Sequence, residues 1–466
     1  MSSPLPNGFD LSLCEAVGAE YVLNKPPVLE LYAADALGIG HQPDVVVIPG
    51  TTEEIAAIAR LCNTHRVPLV VRGAGTGYTG GAVPTAGGVV LSMERFNRIL
   101  EIDELNLLAV VEPNVITGDL QRAVEAVGLF YPPDPASLDR SSIGGNVAAC
   151  AGGPRAFKYG TTKRYVLALA AVLPTGEIVH TGSKAVKNVV GYDLTQLLTG
   201  SEGTLAIITK ITLRLVPLPP SRATMIAGFA AIDDAVHAVS GVIAHRVVPA
   251  TLELIDQDSL RALERYVGGP VLATTNPGAI NALLIAECDG TPAAVGDEID
   301  RVADACTAAG ALAMNRATSD AEREALWSAR RDLSMALRET GLLKINHDVV
   351  VPRGRIPELF AAVAEIKRDY RLQIASFGHA GDGNIHVNLM IDPDDAEQRA
   401  RAKQAERVLF ERVVALEGSI TGEHGIGFSK KPYIGIELGA EEIALMQRVK
   451  AAFDPNGILN PGKIFP

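Results

Sequence analysis

The chain has 466 residues, of which 47% are hydrophobic and 21% are charged, a balance that is ordinary for a soluble enzyme of two or three domains. Its formal net charge is −12, from 54 acidic and 42 basic residues, so we do not expect nucleic acid as a partner. The cysteines form no Cys-x-x-Cys pair, which disfavours an iron–sulfur cluster within this chain. Neither a basic leader nor an apolar run of about 18 residues occurs, so we expect neither export nor a membrane span.

The first part of the chain predicts short helices followed by an α/β domain. Residues 1–40 have irregularly spaced apolar positions, which is typical of short helices. Residues 41–219 are expected to form one domain, in which Thr51 and Glu54 make a capping box that begins a helix ending at His65. The strands of this domain are predicted at Asp44–Ile48, Pro68–Arg72, Gly88–Leu91 and, in alternation with turns, between Tyr165 and Val216.

A second domain is predicted after a proline-rich segment. Three prolines within Val216–Ser221 preclude a helix and a central strand, so we place a domain boundary there. Residues 220–430 then alternate between strand and helix patterns, which predicts a separate α/β domain on an antiparallel sheet. Its strands are expected at Ala223–Ala230, Ala282–Cys288, Asp348–Pro352, Leu372–Phe377 and Ile385–Met390, and its helices at Asp233–His245, Ala294–Ala309 and Ile356–Tyr370. Residues 431–466 contain a last helix, Glu441–Phe453.

A glycine-rich stretch follows the second predicted strand. Gly75, Gly77 and Gly80 have the G-x-G-x-x-G spacing of a dinucleotide-binding turn, which requires a helix immediately afterwards. The residues that follow include Pro84 and Gly87 and cannot form that helix, so a Rossmann turn is excluded. The loop can still receive phosphates on successive backbone N–H groups, and a plain surface loop is the alternative.

Two further stretches favour an extended cofactor over a plain loop. Small residues are dense in Pro132–Gly153, where the backbone can approach a flat ligand closely, and Ser141–Asn146 offers hydrogen-bond donors. Gly200 and Gly203 precede another predicted strand. Three glycine clusters in one domain, each next to a strand, predict a cofactor that lies across the sheet.

Histidines and acids are concentrated among glycines towards the end of the second domain. His379 and His386 flank Asp382-Gly383, a pair that by itself signals a hairpin turn. Adjacent strands would bring the two imidazoles within coordination reach, and Glu423 could add a carboxylate, a ligand set that suits zinc or manganese and leaves open positions. From the residues alone, a hairpin without a metal and a metal that activates water remain alternatives.

The histidine next to Glu423 is a candidate base. In an extended backbone, Glu423 and His424 point to opposite sides, so one can bind the ion while the other removes a proton. His347-Asp348 is a further pair of this kind, but its place before a buried strand favours a structural role.

These motifs together resemble a family of flavoenzymes. The three glycine-rich stretches resemble the FAD-binding domain of the vanillyl-alcohol-oxidase/p-cresol-methylhydroxylase (PCMH) superfamily, and the histidine motif with Glu423-His424 resembles its FAD-linked D-2-hydroxyacid dehydrogenase branch. The resemblance runs from about Pro43 to the C-terminus. It implies an α+β protein with a two-subdomain PCMH-type FAD-binding domain and a smaller α/β cap domain on an antiparallel sheet. The C-terminal segment is expected to pack back on the FAD domain near the flavin.

The resemblance also implies which residues contact FAD. The expected contacts are Arg72, Gly73, Ala74, Gly75, Thr76, Gly77, Tyr78, Thr79 and Gly80 around the pyrophosphate, Pro133, Asp134, Ser137, Ser141, Gly144, Gly145, Asn146, Gly152 and Gly153 around the isoalloxazine and ribityl parts, and Glu202, Gly203 and Ile207 near the adenine half. Some superfamily members bond FAD covalently to a histidine in the first loop. Because no histidine occurs there, we expect non-covalent FAD. The branch commonly has an acid or asparagine where Ala149 and Cys150 stand, which leaves the local contacts open.

The activity implied by the resemblance is oxidation of a small D-2-hydroxy acid, glycolate or D-lactate, to the 2-oxo acid. Hydride would pass to flavin N5 and the hydroxyl proton to His424. A divalent metal, zinc or manganese, on His379, His386 and Glu423 would hold the substrate. The residues expected to bind the substrate are Arg330, whose guanidinium matches a carboxylate at two points, and Ser334, Lys344 and Asn388.

Two alternatives to this activity stay open at this point. One is an enzyme like D-2-hydroxyglutarate dehydrogenase, and the other is a non-catalytic FAD-binding subunit of a larger complex. The electron acceptor is left open between an iron–sulfur partner subunit, a quinone and an electron-transfer protein. We expect a cytoplasmic protein, with peripheral attachment to the inner membrane through partners as an open alternative.

Overall fold

The computed structural model describes residues 5–274 and 276–466 of the chain. The α-helices of this part are α1 (Phe9–Val17), α2 (Pro26–Leu29), α3 (Thr52–His65), α4 (Thr117–Glu125), α5 (Ile143–Ala149), α6 (Ala156–Tyr159), α7 (Leu194–Leu198), α8 (Ile232–Ala244), α9 (Gln257–Val267), α10 (Pro292–Ala308), α11 (Asp320–Arg338), α12 (Ile356–Asp369), α13 (Ala396–Ala415), α14 (Ile434–Glu437) and α15 (Ala440–Phe453). Its strands are β1 (Val22–Leu23), β2 (Val45–Val47), β3 (Leu69–Arg72), β4 (Val89–Ser92), β5 (Ile99–Asp103), β6 (Leu108–Val111), β7 (Leu129–Phe130), β8 (Val166–Val172), β9 (Ile178–Gly182), β10 (Ile207–Arg214), β11 (Val216–Pro217), β12 (Ser221–Phe229), β13 (Thr251–Ile255), β14 (Ala282–Gly290), β15 (Ala313–Arg316), β16 (Leu343–Val350), β17 (Gln373–His379) and β18 (Asn384–Ile391).

The described residues form two compact units. The first unit contains residues 5–152, 161–218 and 423–466, and the second unit contains residues 153–160 and 219–422. Both units mix helices with strands, so the predicted α+β class is confirmed. No helix in the described ranges combines the length and the apolar character that crossing a bilayer requires.

A mainly parallel sheet forms one layer of the first unit. β2 and β3 each pair with β4 in parallel, and the short β1 pairs with β2 in the antiparallel sense. The capping box at the start of α3 is formed, because Thr51 Oγ1 accepts the N–H of Glu54 at 3.1 Å and Glu54 Oε2 accepts the N–H of Gly50 at 2.6 Å. The apolar face of α3, with Ile55 and Ile58, is buried in the core that also contains β2, β3 and β4.

The second sheet of the first unit is antiparallel, in the order β5-β6-β10-β8-β9. The strands predicted between Tyr165 and Val216 are β8, β9 and β10, but the segment before β10 contains the short helix α7. Asp193 begins this helix, since its carboxylate accepts the N–H of Gln196 at 3.0 Å. In the proline-rich segment, the two residues of β11 pair with β7, and the last residue, Ser221, begins β12. Proline tolerates such an edge position because no ladder partner needs its missing N–H.

The C-terminal residues belong to the first unit from residue 423 onward, whereas the sequence placed that boundary at 431. Leu69 in β3 donates its N–H to Ile458 O at 2.8 Å and accepts the N–H of Asn460 at 2.8 Å. Lys450 Nζ donates to Thr204 O at 2.6 Å. The chain end is therefore hydrogen-bonded beside the strand that leads into the first glycine-rich loop.

The second unit has one antiparallel sheet in the described residues, in the order β15-β12-β14-β13-β17-β18-β16. The predicted antiparallel sheet of the second domain is thus confirmed. Helices α9 and α11 pack on it through buried residues such as Leu263 and Leu333. The sequence did not predict β13, α9 or α13, and β16 begins at Leu343, before the strand predicted at Asp348.

The short helix α6 is part of the second unit although it lies early in the chain. Lys158 Nζ donates to Asp289 Oδ1 at 2.5 Å, and Tyr159 Oη donates to Asp289 Oδ2 at 2.7 Å. The Asp289 carboxylate is buried at the end of β14, so two donors from α6 balance its charge and hydrogen-bonding capacity.

Candidate functional site

The first glycine-rich loop begins where β3 ends and covers Arg72–Gly80. The N–H groups of Gly75, Thr76 and Gly77 donate no hydrogen bond to any other described residue. Gly75 has φ 67°, a left-handed conformation that glycine adopts without strain. Consecutive N–H groups without a protein acceptor suit the oxygens of a phosphate, so the loop fits the pyrophosphate of FAD.

Side chains hold both ends of this loop. Arg72 Nη1 donates to Ala34 O at 2.9 Å, and the guanidinium lies 5.8 Å from the ring centre of Tyr32. Burial lowers the pKa of Arg72. At the other end, the buried Lys463 Nζ donates to Gly80 O at 2.5 Å. The loop therefore has a fixed frame around its free N–H groups.

The second glycine-rich stretch forms the start of α5. Ser142 Oγ accepts the N–H of Gly145 at 3.3 Å and the N–H of Ala74 at 3.4 Å, which joins the two glycine-rich stretches. The N–H of Gly144 donates to Pro113 O at 2.6 Å. The expectation that this stretch offers free donors is therefore wrong for the N–H groups of Gly144 and Gly145.

Polar side chains of the same stretch also have partners within the first unit. Asn146 Nδ2 donates to Thr117 Oγ1 at 2.6 Å, and Thr117 Oγ1 donates to Ser141 O at 3.0 Å. Both Asn146 and Ser141 are buried. These bonds hold the backbone of the stretch, and the contact of its residues with FAD stays a prediction. Of this predicted set, Gly153 is in the second unit, and the first unit contains Pro133, Asp134, Ser137, Ser141, Gly144, Gly145, Asn146 and Gly152.

Glu202 connects the third glycine-rich stretch to the loop near the C-terminus. Its carboxylate accepts the N–H of Ile426 at 2.8 Å and the N–H of Gly427 at 2.7 Å. Burial raises the pKa of Glu202, and these two N–H donors oppose that rise. Because both carboxylate oxygens are used, the observed role of Glu202 is to hold this loop, and its predicted contact with the adenine half stays a prediction.

The candidate base His424 lies in the loop that Glu202 holds. Its imidazole stacks on Tyr78, with ring centres 5.2 Å apart and an angle of 29° between the planes. Thr79 Oγ1 donates to the backbone oxygen of His424 at 3.1 Å. His424 Nε2 lies 3.8 Å from Glu423 Oε1, so the prediction that these side chains point to opposite sides is wrong. The reason is that the backbone bends at these residues and is not extended.

In the second unit, β17 and β18 form the hairpin that Asp382-Gly383 predicted. His379 is the last residue of β17 and His386 is the third residue of β18. Their rings are 5.4 Å apart between centres and nearly perpendicular, at 87°. Both imidazoles are buried. The hairpin and the histidine pairing are thus both present, and neither explanation of the motif excludes the other.

Glu253 in β13 is a site residue that the sequence analysis missed. Its carboxylate is fully buried, at 0% exposure, and faces His379 Nδ1 at 2.6 Å and Arg330 Nε at 2.6 Å. Burial alone raises the pKa of Glu253, but Arg330 and His379 outweigh it and lower the pKa to about 2. An ionised carboxylate only accepts, so His379 donates from Nδ1, and in a neutral imidazole the lone pair then lies on Nε2. This arrangement is typical of a histidine that binds a metal.

The other predicted substrate residues are found in the same unit. Lys344 Nζ donates to Ser334 Oγ at 2.6 Å, and burial together with Arg338 lowers the pKa of Lys344 to about 8. The buried Asn388 donates to Ala375 O at 3.0 Å and to His386 O at 3.1 Å. The structure thus pairs Lys344 with Ser334, and Asn388 braces the strand of His386. Whether these residues bind a substrate stays a prediction.

Asp348 lies inside β16 and not before a strand, and its expected structural role stays a prediction. Its carboxylate accepts Asn384 Nδ2 at 2.7 Å, Thr421 Oγ1 at 3.1 Å and the N–H of Gly422 at 3.0 Å. The buried His347 stacks edge-on against Phe410. Asp348 therefore holds the backbone that leads to residue 423.

The predicted metal ligands are divided between the two units. His379 and His386 belong to the second unit, and Glu423 with His424 belongs to the first. The second unit by itself offers two buried imidazoles with a carboxylate behind one of them. That donor set fits a divalent metal of the zinc or manganese type.

Two family descriptions match the chain. Residues 43–182 match the family described as FAD binding domain, and residues 218–464 match the family described as FAD linked oxidases, C-terminal domain.

Curated relatives share most of their length with the chain. It is 45% identical over 425 residues to glycolate oxidase subunit GlcD of Bacillus subtilis, covering 91% of this chain and 89% of that protein. It is 37% identical to D-lactate dehydrogenase of Anaerostipes hadrus, covering 91% of this chain and 90% of that protein. It is also 37% identical to glycolate oxidase subunit GlcD of Escherichia coli, covering 98% of this chain and 90% of that protein.

Solved structures share the fold at lower identity. 4-Ethylphenol oxidase from Gulosibacter chungangensis is 22% identical with a TM-score of 0.79, covering 98% of this chain and 97% of that one. p-Cresol methylhydroxylase is 19% identical with a TM-score of 0.79, covering 98% of this chain and 96% of that one.

Proposed function

The chain belongs to the family of FAD-linked oxidases, and on that premise we propose that it oxidises glycolate, with D-lactate as the second candidate, to the corresponding 2-oxo acid. The observation that carries the proposal is the 45% identity to a protein named glycolate oxidase subunit over 91% of this chain. D-Lactate is the second candidate because a relative at 37% identity is named D-lactate dehydrogenase.

The free N–H groups of Gly75, Thr76 and Gly77 support FAD binding at the first glycine-rich loop. When bound, FAD supplies the acceptor for the two electrons that leave the substrate. No histidine occurs in Arg72–Gly80, so the flavin is held without a covalent bond to this loop.

The second unit supports a divalent metal. His379 Nδ1 faces Glu253 Oε1 at 2.6 Å, which is the arrangement of a histidine that binds a metal through Nε2, and the ring centre of His386 lies 5.4 Å away. Glu423 is the third ligand that the sequence predicts. A metal on these residues would lower the pKa of the substrate hydroxyl.

His424 is the proposed base for the hydroxyl proton. Oxidation of a 2-hydroxy acid removes that proton and a hydride from the same carbon–oxygen unit. Tyr78 and Thr79 orient the imidazole and its backbone, and Glu423 Oε1, 3.8 Å from Nε2, stabilises the positive charge that His424 gains.

Arg330 is the proposed partner of the substrate carboxylate. Its Nε donates to Glu253 at 2.6 Å and its Nη2 lies 2.5 Å from the same oxygen. Its Nη1 makes no hydrogen bond with the rest of the described chain, and guanidinium N–H groups match carboxylates well. One edge of Arg330 is thus held by the protein, and the other remains for a ligand.

A partner chain is part of the proposal. Two of the relatives are named as subunits, so we propose that this chain passes electrons to a partner that carries the onward acceptor.

Anaerobic bleaching of the oxidised flavin tests the substrate. We expect glycolate to bleach the flavin faster than D-lactate, and D-2-hydroxyglutarate to be the slowest of the three. Bleaching by none of them would refute the proposed activity.

Replacement of the base tests the mechanism. We expect His424→Gln to slow flavin reduction by about 100-fold or more with normal FAD content, because general base catalysis contributes about 10² to 10⁴. His180→Gln is the matched control, since His180 is exposed on β9 of the same unit. Flavin reduction at the wild-type rate in His424→Gln would show that His424 is not the base.

A further inference from the structure

One carboxylate contacts two residues to which different tasks are assigned. Glu253 Oε1 accepts from His379 Nδ1 at 2.6 Å, and Glu253 Oε2 accepts from Arg330 Nε at 2.6 Å. His379 is a predicted metal ligand, and Arg330 is the predicted partner of the substrate carboxylate. Neither the family descriptions nor the names of the relatives assign a role to Glu253.

The fold brings these three side chains together from separate elements. Glu253 and His379 are directly opposite each other in the register of β13 and β17, and Arg330 comes from α11. Phe377, on the same strand as His379, lies 4.9 Å from the Arg330 guanidinium and 5.4 Å from the His386 ring. The side chains therefore form one continuous buried cluster, in which Glu253 cannot move without disturbing its neighbours.

A purely structural ion pair is the simpler explanation, and it accounts for only part of the geometry. Arg330 alone would balance the charge of Glu253, because a guanidinium offers several donors to one carboxylate. The second oxygen, Glu253 Oε1, nevertheless accepts from His379 Nδ1, and this bond holds the imidazole in one orientation. A carboxylate behind a histidine fixes its tautomer and increases its basicity as a ligand.

We propose that Glu253 is a positioning residue that orients His379 to bind a metal through Nε2 and holds Arg330 in place for the substrate carboxylate. This inference rests on the proposed function. It predicts that one substitution at Glu253 weakens metal binding and hydroxy-acid binding together. Ser334 contacts Lys344 and neither histidine, so its substitution weakens the binding of the hydroxy acid and leaves metal binding unchanged.

Glu253→Gln is the test, with Glu287→Gln as its matched control. Glu287 is a buried glutamate on the neighbouring strand β14, and its Oε2 accepts from Thr224 Oγ1 at 2.7 Å and from Trp327 Nε1 at 2.8 Å. A glutamine oxygen can accept both of those bonds, so this control keeps the fold and the local packing. Glu253→Gln instead removes the charge that faces Arg330, and because glutamine has one oxygen, an NH₂ group faces either Arg330 or His379 in place of an acceptor.

Zinc binding, measured in competition with a chelator on the FAD-loaded protein, is the first readout. We expect Glu253→Gln to weaken zinc binding by about 10- to 100-fold, the usual effect of losing such a partner, and Glu287→Gln to leave it unchanged. The KM for the hydroxy acid rises in the Glu253 variant more than kcat falls. Zinc affinity equal to wild type in Glu253→Gln would overturn the inference.

The tautomer of His379 is the second readout and needs neither a metal nor a folded variant of Glu253. In metal-free wild-type protein labelled with ¹⁵N-histidine, we expect the proton on Nδ1, with the signal assigned by its loss in His379→Gln. A neutral imidazole with its proton on Nε2 and none on Nδ1 would overturn the inference. If wild-type protein binds no zinc, the proposed metal fails, and the tautomer still decides whether Glu253 orients His379.

Discussion

Replacing Glu202 by glutamine tests which of two roles this residue has. It either holds the loop of residues 423–427, which contains His424, or binds the adenine half of FAD. The carboxylate accepts the N–H groups of Ile426 and Gly427 at 2.8 and 2.7 Å. Glutamine has one oxygen, so one of the two N–H groups would face an NH₂ group and lose its acceptor. A hydrogen bond to a charged group contributes about 1.5–3 kcal/mol.

That loss sets the expected size of the effect. At about 1.4 kcal/mol for each factor of ten, one of the two amides should exchange with deuterium about 10- to 150-fold faster. His424 lies two residues before Ile426, and a displacement of about 1 Å in a reacting group can slow catalysis by about 100-fold. We therefore expect flavin reduction to slow by about 10- to 100-fold, with the FAD content unchanged.

Hydrogen exchange by mass spectrometry and anaerobic stopped-flow reduction of the flavin measure the two effects. Glu112→Gln is the control, because Glu112 is a buried glutamate of the same unit whose carboxylate accepts the Arg98 N–H at 2.8 Å and makes no contact with residues 423–427. If Glu202→Gln loses FAD while its amides at 426 and 427 stay protected, Glu202 binds the cofactor and does not hold the loop.

Three further predictions follow from the first unit. Gly144→Ala places a Cβ 2.4 Å from Pro113 Cβ and should lower the free energy of unfolding by about 1–3 kcal/mol. The Cβ of Gly145→Ala meets only Ser142 Oγ at 3.1 Å, so this control should lower the free energy of unfolding less. Urea denaturation compares the two variants. Burial lowers the pKa of Lys463 from 10.5 to about 8, so the unfolded chain binds more protons between those values. The free energy of unfolding should therefore rise by about 3 kcal/mol from pH 8 to 10.5, and Lys463→Met should lose this rise in urea titrations. Precipitation with trichloroacetic acid should leave all the flavin in the supernatant, and yellow pellets would contradict non-covalent binding.

Much of the fold was predictable because its signals are local in sequence. The capping box of Thr51 and Glu54 defined the start of α3, and Asp382-Gly383 predicted the hairpin of β17 and β18. A hairpin has a fixed register, so the placement of His379 and His386 on neighbouring strands followed from the turn. The central acid of β13 carried no such signal, since Thr251–Ile255 is short and alternates apolar with polar residues like a half-exposed strand.

The sequence by itself determined the glycine-rich loop, the histidine hairpin and the resemblance to flavoenzymes, because each depends on residues that lie close together in the chain. Only the tertiary structure decided which acids support them. Glu253 lies 126 residues from His379, and Glu202 lies 224 residues from Ile426. Such pairs form when strand order and loop paths bring distant segments together, and side-chain periodicity does not record that order. The relation of Glu423 to His424 was wrongly predicted because the backbone bends at these residues and does not take the extended conformation that the sequence suggested.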